Sequence, residues 1–263
     1  MKKAIQLIMT GIVAANLVTI AVAETPEEKG LAIAKEADLR DQGWGDSTAN
    51  MVMVLRNKAG KESRREIRIR NMEVDGDGDK SISIFDKPAD VKGTAFLSHT
   101  HATNPDDQWL YLPALKRVKR ISSANKSGPF MGSEFAYEDL SSQEIEKYSY
   151  TFLGEEELNG QAMFKIERKP LYAKSGYTRQ IAWIDQEHYR SYKVEFYDRK
   201  NTLLKTLVSD GFQQYLNKYW RPSEMKMVNH QNNKETDLSW ENYQFGNGLA
   251  EADFNQTALK RSR

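Results

Sequence analysis

Met51-Val52-Met53-Val54-Leu55, then Asn57-Lys58-Ala59-Gly60, then Glu66-Ile67-Arg68-Ile69-Arg70 is the stretch that decides the fold. Met51, Met53 and Leu55 recur every second residue, and so do Ile67 and Ile69 against the charges of Glu66, Arg68 and Arg70. A period of two places alternate side chains on opposite faces of a strand, and the Asn-to-Gly segment between the runs has turn chemistry. The stretch therefore reads as a β-hairpin with one greasy face.

The same pattern repeats down the chain. A turn at Asp75-Gly76-Asp77-Gly78-Asp79 leads into the alternation Ser81-Ile82-Ser83-Ile84. Strands are expected over Gln108 to Leu112, Arg117 to Ile121, Tyr148 to Glu157, Gln161 to Arg168, Gln180 to Asp185 and Tyr189 to Asp198. Others lie near Thr202 to Val208, Phe212 to Leu216, Ser223 to Asn229 and Glu235 to Tyr243. So many strands at short spacing, with no strand-helix-strand crossover, specify a mainly β (α+β) fold built on a large antiparallel sheet or barrel.

Ahead of the sheet, Thr25-Pro26-Glu27-Glu28 carries the signals of a helix start: a capping hydroxyl, a proline at the first position and acids at the positive end. Leu31, Ile33, Ala34 and Ala37 give this helix an apolar stripe, and Gly43 ends it. Further upstream, Lys2 and Lys3 precede an apolar run from Ala4 to Ile20 and the small-x-small site Ala21-Val22-Ala23. Residues 1–23 thus read as an export signal cleaved after Ala23, rather than an uncleaved anchor, because Gln6, Gly11 and Asn16 interrupt the run. Residues 24–263 read as one exported domain.

The chain contains 38 lysines and arginines, 37 acids and no cysteine. Near-neutrality argues against nucleic acid as a partner, and the missing thiols exclude disulfides, thiolate metal sites and a cysteine nucleophile. Export without disulfides suits a bacterial periplasm.

Candidate chemistry is sparse. Asp75, Asp77 and Asp79 alternate like the start of a calcium loop, but Lys80 stands where glycine is needed and Asp86 where glutamate is, so a plain turn is the favoured reading. His99 and His101 with Asp106 and Asp107 sketch a metal constellation that lacks a further histidine at ligand spacing. Glu134 and Glu138 form a weak acid-base pair, and no nucleophile elbow, phosphate loop or zinc helix is present. No metal, no cofactor and no enzymatic activity is expected.

The segment from Ser122 to Leu140 starts polar and turns aromatic, with Phe130, Met131, Phe135, Tyr137 and Leu140 too apolar for a solvated loop. It reads as a lid over something greasy, closed by a short helix from Ser142 to Lys147. The basic run Lys116, Arg117, Lys119 and Arg120, near Trp109 and Tyr111, offers polar recognition of a head group or an acidic partner, or simply guards a sheet edge.

Asp106 to Ile121, through Trp109-Leu110-Tyr111-Leu112-Pro113, followed by Phe130-Met131-Gly132-Ser133-Glu134-Phe135-Ala136-Tyr137-Glu138-Asp139-Leu140, resembles the LolA-like outer-membrane lipoprotein-sorting superfamily, in the branch associated with RND-type exporters. Trp183-Ile184-Asp185 and Phe196-Tyr197-Asp198-Arg199 extend the likeness over most of residues 24–263. The resemblance implies an incomplete β-barrel with helices covering its open face, and acyl chains of lipids or lipoproteins held between sheet and cover. It further implies a monomeric carrier in transient membrane contact, served by an inner-membrane RND-type exporter. The residues expected to line or cover the cavity are Met51, Met53, Ile67, Ile69, Trp109, Tyr111, Phe130, Met131, Phe135 and Tyr137. A module that binds a protein partner through the sheet edge is the alternative.

Overall fold

The computed structural model describes residues 23–261; the export signal expected over residues 1–23 lies, apart from its last residue, outside them. Helix α1 (Pro26–Asp41) begins as its sequence signals require. The Thr25 hydroxyl accepts from the Glu28 N–H at 3.2 Å while the Glu28 carboxylate accepts from the Thr25 N–H at 2.9 Å, a complete capping box.

Among the described residues, fifteen strands come after it. The first six are β1 (Asp46–Arg56), β2 (Glu62–Met72), β3 (Lys80–Lys87), β4 (Ala95–His99), β5 (Asp107–Leu112) and β6 (Arg117–Arg120). After a long connection come β7 (Tyr148–Leu158), β8 (Gln161–Pro170), β9 (Tyr177–Asp185), β10 (Ser191–Asp198) and β11 (Leu203–Asp210). A small hairpin, β12 (Gln213–Tyr215) and β13 (Tyr219–Arg221), precedes β14 (Glu224–Asn229) and β15 (Lys234–Phe245). Helix α2 (Gln256–Arg261) closes the described chain.

Thirteen of these strands form one antiparallel sheet in the order β6-β5-β4-β3-β2-β1-β15-β14-β11-β10-β9-β8-β7. Two meanders are thus stitched together where β1 pairs with β15, Met51 opposite Trp240 and Met53 opposite Leu238. The sheet curls without closing, an incomplete barrel, so its edges are β6 and β7, which are neighbours in sequence. Residues 121–147 must therefore cross the open side from one edge to the other.

The edges are protected differently. β6 exposes Arg117, Lys119 and Arg120, and Arg120 pairs with Asp107 across to β5; charge at an edge discourages pairing with another chain. Along β7 lies α1, with Gly30, Ile33 and Ala34 buried against the sheet. A Cβ on Gly30 would come 2.7 Å from the Phe152 backbone nitrogen and 2.8 Å from the Thr151 carbonyl carbon, so only glycine permits this approach.

Two features differ from the alternating pattern. β4 has Ala95, Phe96, Leu97 and Ser98 all buried, because its second face is covered by the C-terminal segment carrying Phe254 and Leu259. A strand covered on both faces loses its period of two. The helix expected over Ser142 to Lys147 is a single 3₁₀ turn, Ile145–Lys147.

The packing of α1 generates a prediction with a reversed sign. Glycine to alanine inside a helix ordinarily stabilises by up to about 1 kcal/mol. Here Gly30→Ala is expected to lower stability by about 1–3 kcal/mol, because the added methyl meets backbone that cannot yield. Urea denaturation checks it; a raised midpoint would refute the close contact.

Candidate functional site

The concave face of the sheet carries the largest apolar cluster among the described residues. One cluster joins Met51, Met53 and Ile67 of β1 and β2 to Ile166, Ala182, Val194, Phe196, Met227 and Leu238 of the other meander. Residues 121–147 run across this face and fill part of it. Phe130, 1% exposed, sits 5.1 Å from the Phe96 ring, 6.0 Å from Phe85 and 5.5 Å from Tyr137.

Polar contacts fix the same segment to strands on both sides. Arg65 of β2 donates to the Met131 carbonyl at 2.7 Å, and Gln108 of β5 to the Tyr137 carbonyl at 2.9 Å. Lys205 of β11 donates to the Glu134 carbonyl at 2.9 Å and to Asp139 Oδ2 at 2.6 Å, and Tyr177 of β9 donates to Asp139 Oδ1 at 2.8 Å. The Asp139 and Lys205 side chains are only 6% and 4% exposed. Asn229 donates to Glu134 Oε2 at 2.7 Å, while the Thr236 hydroxyl accepts from the Glu134 N–H at 3.0 Å. At the two ends of the crossing, Lys126 and Lys147 both pair with Asp106. The segment expected as a lid is a plug, held from both meanders.

The plug leaves room beside it. A cavity of about 940 Å³ is lined on its apolar wall by Met51, Met53, Ile69, Phe96, Phe130, Phe135, Val194, Phe196, Leu207, Leu238 and Trp240. A second hollow of about 1010 Å³ lies between the end of α1, residues 73–79 and residues 142–146. Ala37, Asp41, Trp44, Asp79, Ser142, Gln143, Arg168, Tyr189 and Lys218 line both, so the two adjoin.

Of the residues expected at the cavity, Met51, Met53, Ile69, Phe130 and Phe135 line it. Ile67, Met131 and Tyr137 belong to or pack against the same apolar cluster without reaching the cavity surface. Trp109 and Tyr111 are a correction: they point to the opposite face, packed with Ile82, Ile84, Leu97 and Phe254. Their neighbour Leu110 takes the concave position, a one-residue register inversion that alternation cannot resolve where both faces are buried. Trp44, Trp220 and Trp240 line the cavity, whereas Trp183 also lies on the opposite face with Met163 and Ile181. Lys116 sits exposed in a left-handed turn and Arg117, Lys119 and Arg120 on edge strand β6, and none of the four reaches either cavity. No cluster of metal-ligating side chains occurs among the described residues: His99 binds the Phe254 carbonyl and His101 binds Asp77.

Sequence reasoning missed two polar groups of the cavity wall. Arg168 of β8 projects onto the concave face between Gln143 and Gln180, a position that the strand alternation offered but that a cationic residue concealed. Asp79, read as a turn residue, lines both cavities. Burial, reinforced by the charge of Glu144, pushes its carboxyl up to about 7. Burial also raises Asp38, Asp41 and Glu144 on the same rim, whereas His101 holds Asp77 down at about 2.

The sign for Asp79 comes from linkage. Its folded pKa lies above the ordinary carboxylate value, so the folded chain binds the extra proton and loses stability as pH climbs from about 4 to about 7. Asp79→Asn is expected to stabilise by about 1 kcal/mol or more near pH 8, roughly 2–4 °C in Tm, and to change little near pH 4. Thermal melts at the two pH values check this; an equal effect at both would contradict the assignment.

A family model described as "Uncharacterized protein" matches residues 77–261. Among solved structures, a Vibrio parahaemolyticus domain named for outer membrane lipoprotein sorting is 60% identical, with a TM-score of 0.88, over 89% of this chain and 100% of that one. A DUF1329 family protein from Desulfovibrio piger is 30% identical, with a TM-score of 0.84, over 89% of this chain and 99% of that one. A LolA superfamily protein from Nitrosomonas europaea, 20% identical with a TM-score of 0.70 over 87% of this chain and 98% of that one, shares the fold. Among curated proteins none matches. With the incomplete barrel and its plug in place, the matches at 60% and 30% identity bear out the lipoprotein-sorting resemblance read from Asp106 to Leu140: the chain shares its fold with the LolA superfamily protein and belongs to the family of the outer membrane lipoprotein-sorting domain and the DUF1329 protein.

Proposed function

We propose that this protein is a periplasmic carrier that shields acyl chains of lipids or lipoproteins in its half-barrel and hands them between membrane partners without covalent chemistry. In this reading residues 1–23 direct export and are removed, and residues 24–263 act as one lipid-binding domain. The observation that carries it is the cavity of about 940 Å³, which has one wall built of methionine, leucine, isoleucine, valine and aromatic side chains. That volume falls at the upper end of small-molecule sites. Removing a hydrocarbon chain from water yields about 0.8 kcal/mol per CH₂, which supplies affinity with no directional contact. Release then requires only a competing apolar surface, as a membrane or a second carrier would present. An inner-membrane RND-type exporter is the donor the family resemblance implies.

The plug shapes how cargo enters. Because residues 121–147 are tied to strands of both meanders through Arg65, Gln108, Lys205 and Thr236, cargo is expected beside the plug and not in its place. The rim offers α1 and the β12–β13 hairpin instead. That hairpin is tied to the end of α1, with Tyr219 donating to the Gln42 carbonyl at 3.2 Å and Arg221 paired with Asp41.

Native mass spectrometry of protein isolated from the periplasm is expected to show co-purifying lipid; an empty protein in a stable complex with another polypeptide would favour the partner-binding alternative. Leu207, half-buried on β11, faces the cavity. Leu207→Glu is expected to weaken binding of a fluorescent fatty acid at least tenfold while the thermal transition stays cooperative, and undiminished binding would place the ligand elsewhere.

A further inference from the structure

Most basic side chains that line the cavity of about 940 Å³ have an acidic partner. Arg40 pairs with Glu36, Lys80 with Glu251, Arg190 with Asp185 and Arg221 with Asp41, while Lys218 is exposed at the rim. Arg168 differs. Its Nε donates to Gln180 Oε1 at 2.5 Å and its Nη1 to Gln143 Oε1, both neutral amide oxygens. Among the described residues it forms no ion pair, and its Nη2 makes no hydrogen bond. Of the acids that also line the cavity, Asp139 is engaged by Lys205 and Tyr177, and Glu138 by the Gly176 N–H at 2.8 Å, Ser175 at 2.9 Å and Tyr172 at 3.2 Å, while Asp79, its carboxyl pushed up to about 7, forms no ion pair with Arg168.

A guanidinium carries five N–H donors in a planar fork suited to carboxylate and phosphate oxygens. Placed in a partly desolvated wall without a counter-ion, it is costly unless a ligand supplies the charge. The direction of its titration agrees, since burial pulls the Arg168 pKa below its ordinary value. Around it stand Tyr148, with its ring 5.7 Å from the guanidinium carbon, and Tyr172. Burial raises both phenols, so they remain neutral at physiological pH; the Tyr172 hydroxyl donates to Glu138 Oε2 at 3.2 Å and lies 3.4 Å from that of Tyr148.

We propose that Arg168, framed by Gln143, Tyr148, Tyr172 and Gln180, seats the anionic head group, carboxylate or phosphate, of an amphiphile whose acyl chain lies along the apolar wall. This rests on the carrier reading and specifies its cargo as negatively headed. The head group of an amphiphile fits better than a free anion. The adjoining hollow is rimmed by Asp38, Asp41, Glu73, Asp75, Asp77, Asp79, Glu144 and Glu146; ionised, they repel any anion near Arg168, and an acyl chain supplies the apolar affinity that offsets that repulsion.

The test compares three probes of one chain length, oleate, oleyl alcohol and oleylamine, by quenching of the tryptophan fluorescence to which Trp44, Trp220 and Trp240 of the cavity wall contribute. The wild-type protein is expected to bind oleate about tenfold or more tighter than oleyl alcohol, and oleylamine no tighter than the alcohol. In Arg168→Gln the ratio of oleate to alcohol affinity is expected to fall to about threefold or less, and Arg168→Lys to retain part of it. Equal affinities in the wild type, a preference for oleylamine, or a preference for oleate that survives Arg168→Gln would each overturn the head-group site while leaving the carrier standing. Failure of all three probes to bind would overturn both. Inorganic phosphate that by itself protects the wild type, but not Arg168→Gln, against heat would assign the site to a free anion and overturn the amphiphile. Should Arg168→Gln not fold, the wild-type comparison and Arg168→Lys decide the matter.

Discussion

A sheet that curls without closing must cover its concave apolar face, and the rest of this structure depends on how that constraint is met. The two edges, β6 and β7, are consecutive in sequence, so the chain between them is forced across the opening. It covers the face with Phe130 and Phe135, both nearly inaccessible to water. It fills only part of that face. The cavity is the unfilled remainder of a core, which explains why one of its walls is apolar.

The polar side of the plug decides where it sits. Apolar contact alone would let the segment slide, since burial is roughly proportional to area and has no direction. Asp139 and Lys205 remove that freedom: a buried carboxylate and ammonium are tolerated only when they meet. Glu134, held by Asn229 and the Thr236 hydroxyl, does the same on β14 and β15. Such pairs add more to specificity than to net stability, and here they set the boundary between plugged core and open cavity. The unpaired Arg168 beside them departs from this economy of charge and marks where an outside partner is needed.

Much of this was legible in the residues. Strands from Met51 to Leu55 and Ile67 to Ile69, the capped helix at Thr25 and the turn at Asn57 to Gly60 stand where period and turn chemistry put them. The aromatic half of residues 122–140 announced burial, though not that it would be a fixed plug. Phe130 belongs to the core through Phe85 and Phe96, distant in sequence, and the ion pair that anchors it joins residues 66 positions apart. Trp109 and Tyr111 turned outward because the C-terminal segment supplies a second apolar surface there, with Phe254 and Leu259. Nothing local to β4 or β5 encodes that cover. Arg168 and Asp79 were obscure for a related reason: polar residues on a strand face or in a turn read as solvated until the fold buries them.

The central claim is that acyl chains occupy the hollow beside a plug that stays in place. A photoreactive fatty acid, crosslinked to the folded protein and mapped by peptide mass spectrometry, tests it most directly. The account predicts adducts on the concave wall, at Met51, Leu207 and Trp240 and their neighbours, with amides of residues 128–140 equally protected from exchange before and after binding. Adducts confined to the opposite face around Trp109 and Tyr111, or loss of protection across the plug on binding, would contradict it.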